Sequence, residues 1–430
     1  MDINELYQCF LLCDGISTDT RNIKPNSIFF ALKGDNFDAN EFAQEALDKG
    51  AAFVVMDNKK LVTDSKKMLL VPNALGALQH LAKHHRQQLG LPIIALTGSN
   101  GKTTTKELIY TVLSQKYNTK ATIGNLNNHI GVPLTLLSFD ENTDIGIVEM
   151  GANHLNEISI LCEIAQPDFG YITNFGKAHL EGFGGFEGVI KGKSELYNYL
   201  EDNHKMAFAN IDDPRQDAKT MTFSRFTFGE DSEANLTIDS YSAQPNATVT
   251  VNGIEITSQL TGIYNATNIG AAIAFGTFFN VSIEDIKTAI ATYTPNNNRS
   301  QWVEQANAKI LLDAYNANPS SMAAAITNFT QLETTLPKVV ILGDMFELGK
   351  ESSKEHKQLI DNLLDSKLTE IYLIGGEFFK QQIENKTLHF YPTFESFVEA
   401  LTANNVILST KQILIKGSRG MALERILKYI

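Results

Sequence analysis

A short segment, Thr97-Gly98-Ser99-Asn100-Gly101-Lys102-Thr103-Thr104-Thr105, has the residue types and the spacing of a phosphate-binding loop. Glycines let backbone N–H groups close around phosphate oxygens, and a helix that follows offers its positive N-terminus to the same anion. Lys102 can reach the β- and γ-phosphates, and the hydroxyl of Thr103 can bind Mg²⁺. The pattern is G-x-x-G-K-T, two residues shorter than usual, with Leu96 at the place of the first glycine. Because an apolar strand precedes the loop and an amphipathic helix follows it, we expect a nucleotide site here and not a simple turn.

Acidic and imidazole groups follow two further apolar segments. Glu149 comes directly after residues 145–148, and His179 lies a few residues beyond 171–173. A carboxylate at the end of a buried strand is unfavourable unless it meets a metal ion or a cation. Single glutamates and histidines are usually structural or exposed, but a pair after adjacent strands of a phosphate-binding sheet also fits a metal site.

Two lysines form a third candidate set. Lys191 and Lys193 lie in the first half of a predicted helix, where the helix dipole disfavours cations. Taken alone, the segment is also consistent with an ordinary charged start of a helix.

Strands and helices alternate along most of the chain, which predicts an α/β fold with parallel sheets. In the N-terminal part we expect strands at 27–32 and 52–56 and helices at 41–49 and 73–89. His80, His84 and His85 lie on the last of these helices. Since no carboxylate or cysteine completes a metal set with them, they are interpreted as a solvated face.

The central part is predicted to hold a doubly wound sheet around the phosphate-binding loop. Its strand at 93–96 is unbrokenly apolar, as expected of a strand buried on both faces, and a helix at 102–117 follows the loop. Residues 222–260 alternate in polarity and predict a small antiparallel sheet. The polar run Pro295-Asn296-Asn297-Asn298 predicts a linker to a C-terminal Rossmann-like unit, with strands at 339–343, 371–375 and 413–417.

Length and composition narrow the class of protein. The 430 residues suit two or three domains, and a net charge of −13 argues against nucleic-acid binding. No apolar run is long enough to span a membrane, and the segment Met1 to Glu5 lacks the features of a secretory signal. Cys9, Cys13 and Cys162 form neither a disulfide nor a metal framework. We therefore expect a cytoplasmic protein, and a monomer.

These motifs, taken together, resemble the Mur ligase family, which builds the peptide of the bacterial cell wall. The resemblance covers nearly the whole chain, in order, and is carried by the short loop, the Glu149 strand, the Ala178-His179-Leu180-Glu181 segment, the lysine helix and Tyr264-Asn265-Ala266-Thr267-Asn268. Four stretches favour the member that adds D-alanyl-D-alanine. They are residues 124–134, 149–153, 313–320 and 416–421.

The resemblance implies three domains and one reaction. Residues 1–88 are expected to bind the UDP-sugar, 89–297 to bind ATP, and 298–430 to bind the incoming amino-acid substrate. The implied activity is ATP-dependent ligation of D-alanyl-D-alanine to UDP-N-acetylmuramoyl-tripeptide through an acyl phosphate, in peptidoglycan precursor synthesis. The third residue of the acceptor peptide stays open.

The resemblance also implies roles for individual residues. The ATP contacts would be Gly98, Asn100, Gly101, Lys102, Thr103, Thr104, Asn265, Asn268, Arg299, Asp313, Tyr315 and Asn316. The UDP-sugar-peptide contacts would be Ser17, Thr18, Arg21, Lys33, Gly34, Asn125 and Asn128, and the amino-acid substrate would meet Lys416, Ser418 and Arg419. Some of these residues also suit a turn or a helix cap, as Ser17 to Arg21 and the pair Asn265 and Asn268 do.

Two Mg²⁺ ions are implied, with Thr103, Glu149 and His179 as ligands. Lys193 matches a lysine that is carbamylated in several relatives, where the modified side chain is an anion that binds the second metal. Lys191 is close enough that this assignment could shift by two residues. Lys102, Lys193, Arg299 and His179 are the expected catalytic residues; His179 could act as a base, but a ligand role is preferred.

Three other functions remain open on the sequence alone. One is a sibling ligase that adds the third, diamino residue, although its Asp-Asn-Pro-Arg signature has only the look-alike Asp212-Asp213-Pro214-Arg215, outside the C-terminal part. The second is a folylpolyglutamate synthetase-like ligase, disfavoured by the long N-terminal part. The third is a nucleotide-gated binding protein without turnover.

Overall fold

Three parallel sheets follow one another along the chain in the computed structural model, which describes residues 1–295, 298–403 and 406–430. Helices flank each sheet, as the alternation of strands and helices predicts. The expected three-domain α/β architecture is confirmed. The boundaries at 88/89 and 297/298 stay predictions, and Asn296 and Asn297 of the predicted linker lie outside the described residues.

The N-terminal domain is a four-stranded parallel sheet of order β1-β2-β5-β6, with a small hairpin of β3 and β4 beside it. The predicted strands 27–32 and 52–56 correspond to β2 and β5, and the predicted helix 73–89 corresponds to α3. Its elements are α1 (Ile3–Leu11), β1 (Ile16–Ser17), β2 (Ile28–Phe30), β3 (Lys33–Gly34), β4 (Phe37–Asp38), α2 (Ala43–Asp48), β5 (Phe53–Met56), β6 (Met68–Leu70) and α3 (Ala74–Leu89), with 3₁₀ turns at Thr20–Asn22, Ala39–Phe42 and Lys59–Leu61.

The interpretation of the α3 histidines as a solvated face is wrong for His85, which is 4% exposed. Helix α3 packs against α1 on one side and against central-domain helices on the other, so little of it faces water. His85 Nε2 lies 2.9 Å from the carbonyl oxygen of Phe139, and Nδ1 lies 3.2 Å from the Tyr7 hydroxyl. One donor and one acceptor nitrogen satisfy both partners, which is the arrangement of a neutral imidazole.

The central domain is a doubly wound, seven-stranded parallel sheet of order β13-β12-β11-β10-β7-β9-β8. Its strands are β7 (Ile93–Thr97), β8 (Thr119–Ala121), β9 (Ile145–Glu149), β10 (Phe169–Ile172), β11 (Met206–Asn210), β12 (Arg225–Gly229), β13 (Leu236–Thr237), β14 (Ser240–Ser242), β15 (Thr248–Val251) and β16 (Ile254–Thr257). Its helices are α4 (Lys102–Leu113), α5 (Gly131–Leu136), α6 (Glu157–Ala165), α7 (Leu180–Phe183), α8 (Phe186–Asp202), α9 (Pro214–Thr220), α10 (Ile263–Phe278) and α11 (Ile283–Thr292).

The predicted antiparallel sheet at 222–260 is correct only in part. β14, β15 and β16 form an antiparallel sheet, but β12 and β13 extend the parallel one. Helix α10 packs on α4, and the rings of Phe208 and Phe275 stack with centroids 3.7 Å apart. This apolar layer holds α4, and with it the phosphate-binding loop, against the sheet.

The C-terminal domain is a six-stranded sheet of order β17-β18-β22-β19-β20-β21, parallel except for the edge strand β17. The three predicted strands correspond to β19, β20 and β22. Its elements are β17 (Gln301–Gln305), β18 (Ala308–Asp313), α12 (Pro319–Gln331), β19 (Lys338–Gly343), α13 (Ser352–Leu364), β20 (Glu370–Ile374), α14 (Gly376–Phe379), β21 (Leu388–Tyr391), α15 (Phe394–Thr402) and β22 (Gln412–Lys416), with 3₁₀ turns at Gly349–Glu351, Arg419–Met421 and Leu423–Lys428.

Cys9, Cys13 and Cys162 are free thiols. Burial raises the pKa of the Cys162 thiol, which suits a packing residue. Within residues 1–295, 298–403 and 406–430, no helix combines the length and the apolar composition needed to cross a bilayer.

The buried His85 predicts a loss of stability in acid. Burial lowers its pKa below the ordinary 6.5, so the unfolded chain binds the proton more readily than the folded chain. Stability should therefore fall as the pH drops below about 6.5. In His85→Gln, thermal melting at about pH 7.5 and about pH 5.5 should show a smaller difference than in the wild type. His80→Gln, on the exposed side of the same helix, should keep the wild-type difference; an equal loss in both variants would contradict the assignment.

Candidate active site

The phosphate-binding loop connects β7 to α4 in a conformation that only glycine adopts easily. Gly98 has φ 142° and Gly101 has φ 79°. A Cβ at Gly98 would lie 2.0 Å from the Thr173 hydroxyl, so the loop rests directly on the segment after β10. Helix α4 starts without a side-chain cap, which leaves its first N–H groups available to an anion. These are the features that the sequence predicts for a phosphate site.

Side chains from neighbouring segments hold the loop in place. The Thr173 hydroxyl donates to the carbonyl of Asn100 at 2.5 Å, and Asn174 accepts from the Asn100 N–H at 3.0 Å. The Lys102 ammonium turns back to the Gly98 carbonyl at 2.7 Å. Burial lowers the pKa of Lys102, while Glu149 opposes that shift. With ATP bound, the anionic phosphates would replace the Gly98 carbonyl as the partner of this ammonium.

A cavity of about 870 Å³ opens at the loop, between the central and C-terminal domains. It collects residues from segments that are far apart in the chain. Of the predicted ATP residues it is lined by Asn100, Gly101, Lys102, Thr103, Thr104, Asn265, Asn268, Arg299, Asp313, Tyr315 and Asn316, and of the other predicted residues by Asn125, Asn128, Glu149, His179 and Lys416. The structure thus brings most of the predicted residues of two domains to one place.

Glu149 has the environment of a cation ligand. Its side chain is 2% exposed, and Oε1 accepts a hydrogen bond of 2.8 Å from the Asn127 amide. Oε2 is buried and has no hydrogen-bond partner among the described residues. A buried anionic oxygen of this kind, beside Thr103 in the same cavity, fits a Mg²⁺ ligand.

Asn127 was not singled out by its sequence, although it lies in the asparagine-rich stretch 124–134. Its carbonyl accepts from the Gly151 N–H at 2.7 Å, and a Cβ at Gly151 would lie 2.9 Å from its side-chain oxygen. The backbone therefore fixes the amide that orients Glu149. A pairing of this kind is decided by the approach of two loops, and no spacing rule predicts it.

His179 and Lys193 occupy different positions in relation to the cavity. His179 lines it, and its Nδ1 lies 2.5 Å from Oε2 of Glu347 in the C-terminal domain, which lowers the pKa of that carboxyl. Lys193 is 1% exposed, does not line the cavity, and donates to the Ala152 carbonyl at 3.1 Å. Burial, with Lys102 adding to it, lowers the pKa of Lys193 well below its usual range. Lys191 is exposed and Lys193 is buried, so Lys193 is the better candidate for the predicted modified lysine.

Three His, Cys, Asp or Glu side chains that converge as a metal set are not found in the described part of the chain. Glu149 and His179 would therefore supply only part of the predicted two-ion site. Any further ligands must come from threonine, a modified lysine or the phosphates themselves.

Two buried asparagines form the wall behind the loop. Asn265 donates to the Thr261 carbonyl at 2.8 Å and accepts from Asn268 at 3.1 Å. A Cβ at Gly101 would lie 2.9 Å from the Asn268 side-chain oxygen. The pair thus sits next to the phosphate loop and is not a helix cap, because Gly262 precedes α10 without a side-chain cap.

Arg299 and Tyr315 pack against each other on the C-terminal side of the cavity. The guanidinium of Arg299 lies 3.7 Å from the centre of the Tyr315 ring. Its Nε is buried without a hydrogen-bond partner in the described ranges. A strong donor without an acceptor is suited to an anionic ligand.

The residues predicted for the amino-acid substrate divide into two groups. Lys416 pairs with Asp313 at 2.6 Å and lines the nucleotide cavity. Ser418 and Arg419 lie outside it: the Ser418 hydroxyl accepts from the Phe346 N–H at 2.8 Å, and Arg419 is exposed and pairs with Glu424 at 2.9 Å.

The predicted uridine diphosphate residues of the N-terminal domain do not line this cavity. Ser17 is buried and bonds to Ser27 at 3.2 Å, while Arg21 pairs with Asp19 at 2.6 Å. Lys33 pairs with Asp57 at 2.8 Å. Ser17 ends β1, Lys33 follows β2 and Asp57 follows β5, so all three lie at the carboxyl edge of one parallel sheet, where ligands of such sheets bind.

Comparison with known families covers the three domains in turn. Residues 13–86 match the Mur ligase family catalytic domain, residues 96–276 the Mur ligase middle domain, and residues 298–419 the Mur ligase glutamate ligase domain. The chain belongs to the Mur ligase family.

Full-length relatives agree with the domain matches. The UDP-N-acetylmuramoyl-tripeptide–D-alanyl-D-alanine ligase of Bacillus subtilis is 34% identical over 96% of this chain and 92% of its own length. The crystal structure of MurF from Acinetobacter baumannii has a TM-score of 0.87 and 30% identity, covering 99% of this chain and 97% of that one. The MurF ligase of Thermotoga maritima, solved in complex with ADP, has a TM-score of 0.84 and 25% identity over 98% and 97% of the chains.

The Asn127–Glu149 bond predicts an effect on metal binding. Asn127→Ala removes the donor that orients the carboxylate, and loss of a hydrogen bond to a metal ligand weakens metal sites by about 10- to 100-fold. Binding of Mn²⁺ in the presence of a non-hydrolysable ATP analogue, followed by electron spin resonance, should show that weakening.

Asn118→Ala, which removes an amide with only surface partners in the same domain, is the control and should bind Mn²⁺ like the wild type. Equal binding by Asn127→Ala and by the control would exclude Asn127 as a positioning residue.

Proposed function

We propose that this Mur ligase joins D-alanyl-D-alanine to UDP-N-acetylmuramoyl-tripeptide and converts ATP to ADP and phosphate. The observation that carries the proposal is the cavity shared by two domains. It contains the phosphate loop, the candidate acceptor residues Asn125 and Asn128, and Arg299 from the C-terminal domain. An acceptor carboxylate and the γ-phosphate of ATP can meet only in such a shared space. The full-length similarity to ligases of this name supports the same reaction.

The first step is phosphoryl transfer. A terminal carboxylate oxygen of the nucleotide-peptide attacks the γ-phosphorus, the bond to the ADP oxygen breaks, and an acyl phosphate forms. Lys102 comes from the central domain and Arg299 from the C-terminal domain, and both line the cavity. Together they neutralise the charge on the transferring phosphoryl group. The uncapped N–H groups of α4 hold the remaining phosphate oxygens.

The second step forms the peptide bond. The dipeptide amine attacks the acyl carbonyl, a C–N bond forms, the C–O bond to phosphate breaks, and the nitrogen loses a proton. No enzyme nucleophile is needed. Contacts between the domains restrict water at the loop: Asn318 donates to the Asn100 side chain at 2.7 Å.

Mg²⁺ completes this proposal, with Thr103 and Glu149 for one ion and His179 with carbamylated Lys193 for a second. When bound, the ions supply positive charge that polarises the phosphate oxygens. The low pKa of buried Lys193 supports the modification, because only a neutral amine adds to carbon dioxide. A monomer that acts on these small molecules in the cytoplasm belongs to the same proposal.

The sibling activity with a diamino acid has little support in the chain. Its look-alike segment begins helix α9 of the central domain, where Asp213 caps the helix and Arg215 lies over the Phe186 ring. Both side chains therefore have structural partners far from the C-terminal domain.

The proposal predicts that phosphate release depends on both substrates. With Mg²⁺-ATP, the purified protein should release phosphate only when UDP-N-acetylmuramoyl-tripeptide and D-alanyl-D-alanine are present together, and mass spectrometry should find the nucleotide-pentapeptide. Turnover with a diamino acid in place of the dipeptide would assign the sibling activity instead. ATP binding without turnover in any combination would leave a binding protein.

Lys102→Ala should reduce the rate of phosphate release by about a hundredfold or more, because it removes a cation from the transferring phosphoryl group. Lys116→Ala, an exposed lysine just beyond the other end of α4, is the matched control and should keep the wild-type rate. Similar rates in both variants would exclude Lys102 from the reaction.

A further inference from the structure

One close contact between a histidine and a carboxylate, beside the cavity, joins two domains. His179 of the central domain lines the cavity, and Glu347 of the C-terminal domain places Oε2 at 2.5 Å from its Nδ1. The Glu347 side chain is 52% exposed, so the carboxylate is anchored on one side and open on the other. The family resemblance and the proposed chemistry give no role to this carboxylate.

The loop after β19 holds Glu347 rigidly. The N–H of Met345 donates to buried His356 at 3.0 Å, and the N–H of Phe346 donates to the Ser418 hydroxyl at 2.8 Å. The Glu347 carbonyl accepts from the Glu181 N–H at 3.2 Å, and Glu347 itself has φ 61°, an unusual conformation for a non-glycine residue. Backbone strain of this kind persists when surrounding contacts require it, and it is frequent at ligand sites.

The charge of Glu347 is unusual for its place. The proposed reaction gathers a triphosphate, a carboxylate and then an acyl phosphate in the same cavity, and a further carboxylate beside them is repelled. His179 contacts one carboxylate oxygen, and the half-exposed side chain can accept a further cation that arrives with the reaction. The ammonium group of the incoming dipeptide is such a cation, and it must come close to the acyl carbonyl.

Two charged residues of opposite sign also follow a hydrogen bond between neighbouring loops. Phe346 and Ser418 are hydrogen-bonded, and the residues that follow them are Glu347 and Arg419. An anion and a cation therefore flank one hydrogen bond, on two adjacent loops of the domain expected to bind this substrate; the Arg419 side chain pairs with Glu424 and stays 60% exposed. Their charges are opposite to those of the ammonium and carboxylate ends of D-alanyl-D-alanine.

We propose that Glu347 binds the ammonium group of the incoming dipeptide and holds it beside His179, where the acyl phosphate forms. This assignment rests on the proposed function. It makes Glu347 a residue for recognition of the amine in the second step, with no part in the first step.

The test compares wild type, Glu347→Gln and Glu355→Gln. Glu355→Gln breaks the Lys177–Glu355 ion pair, which joins the same two domains. It therefore controls for weakened docking of the domains. Three quantities are measured: acyl phosphate trapped by hydroxylamine without dipeptide, the KM for D-alanyl-D-alanine, and inhibition by propionyl-D-alanine, in which hydrogen replaces the ammonium.

We expect Glu347→Gln to form trapped acyl phosphate like the wild type and to raise the KM for the dipeptide at least about tenfold, as loss of a charge-assisted contact does. Its inhibition constant for propionyl-D-alanine should stay near that of the wild type, because this ligand has no ammonium to lose. Glu355→Gln should leave the KM within about twofold.

Other outcomes overturn the assignment. Loss of trapped acyl phosphate in Glu347→Gln would make Glu347 a metal or closure residue, and equal effects in both variants would make it a docking residue. A parallel rise for dipeptide and propionyl-D-alanine would show a general effect of the loop. If the wild type itself forms no pentapeptide, the proposed function fails and this assignment fails with it; an active wild type with an unchanged Glu347→Gln overturns only the assignment.

Discussion

The open N-terminus of α4 is the constraint on which the rest of the site depends. Gly98 and Gly101 adopt positive φ values, so the chain can turn from a buried strand into the helix without placing a side chain over the first N–H groups. The loop keeps this conformation because Thr173 and Asn174, which follow the neighbouring strand β10, form hydrogen bonds with it. Packing of α10 on α4 then fixes the helix that carries the loop.

The C-terminal domain reaches the loop through polar contacts. Asn318, at the start of α12, donates to Asn100 in the loop, and Ser320 accepts from the backbone N–H of Lys177. Such contacts are individually weak and can be exchanged for water. The same domain carries Arg299, which lines the cavity, and Glu347, which contacts His179 beside it.

Charge is distributed locally in a way that the net charge of −13 does not indicate. Lys102, Arg299 and Lys416 line one cavity together with three carboxylates, those of Glu149, Glu157 and Asp313, so the cavity does not share the acidic excess of the chain. A buried carboxylate such as Glu149, with one oxygen bonded to Asn127 and the other without a partner among the described residues, completes the environment that an ATP-dependent ligase requires. An acidic protein can therefore bind polyanions through a small number of placed cations and backbone dipoles.

The sequence by itself determined the elements whose signals are local. The β7 strand, the glycine loop and the start of α4 follow from neighbouring residues, since apolar runs, glycines and helical periodicity act within a few positions. The family motifs also indicated which distant residues belong to the site, and the cavity brings most of them together.

Only the tertiary structure decided the pairings between segments that are far apart in the chain. His85 looked exposed because its helix is polar. However, α3 packs between α1 of its own domain and helices of the central domain, and this packing buries His85. The hydrogen bond from Asn127 to Glu149 and the contact of Glu347 with His179 depend on how loops of different strands and domains approach each other. Residue types and spacings along the chain carry no information about that approach, because it is set by the packing of whole sheets and domains.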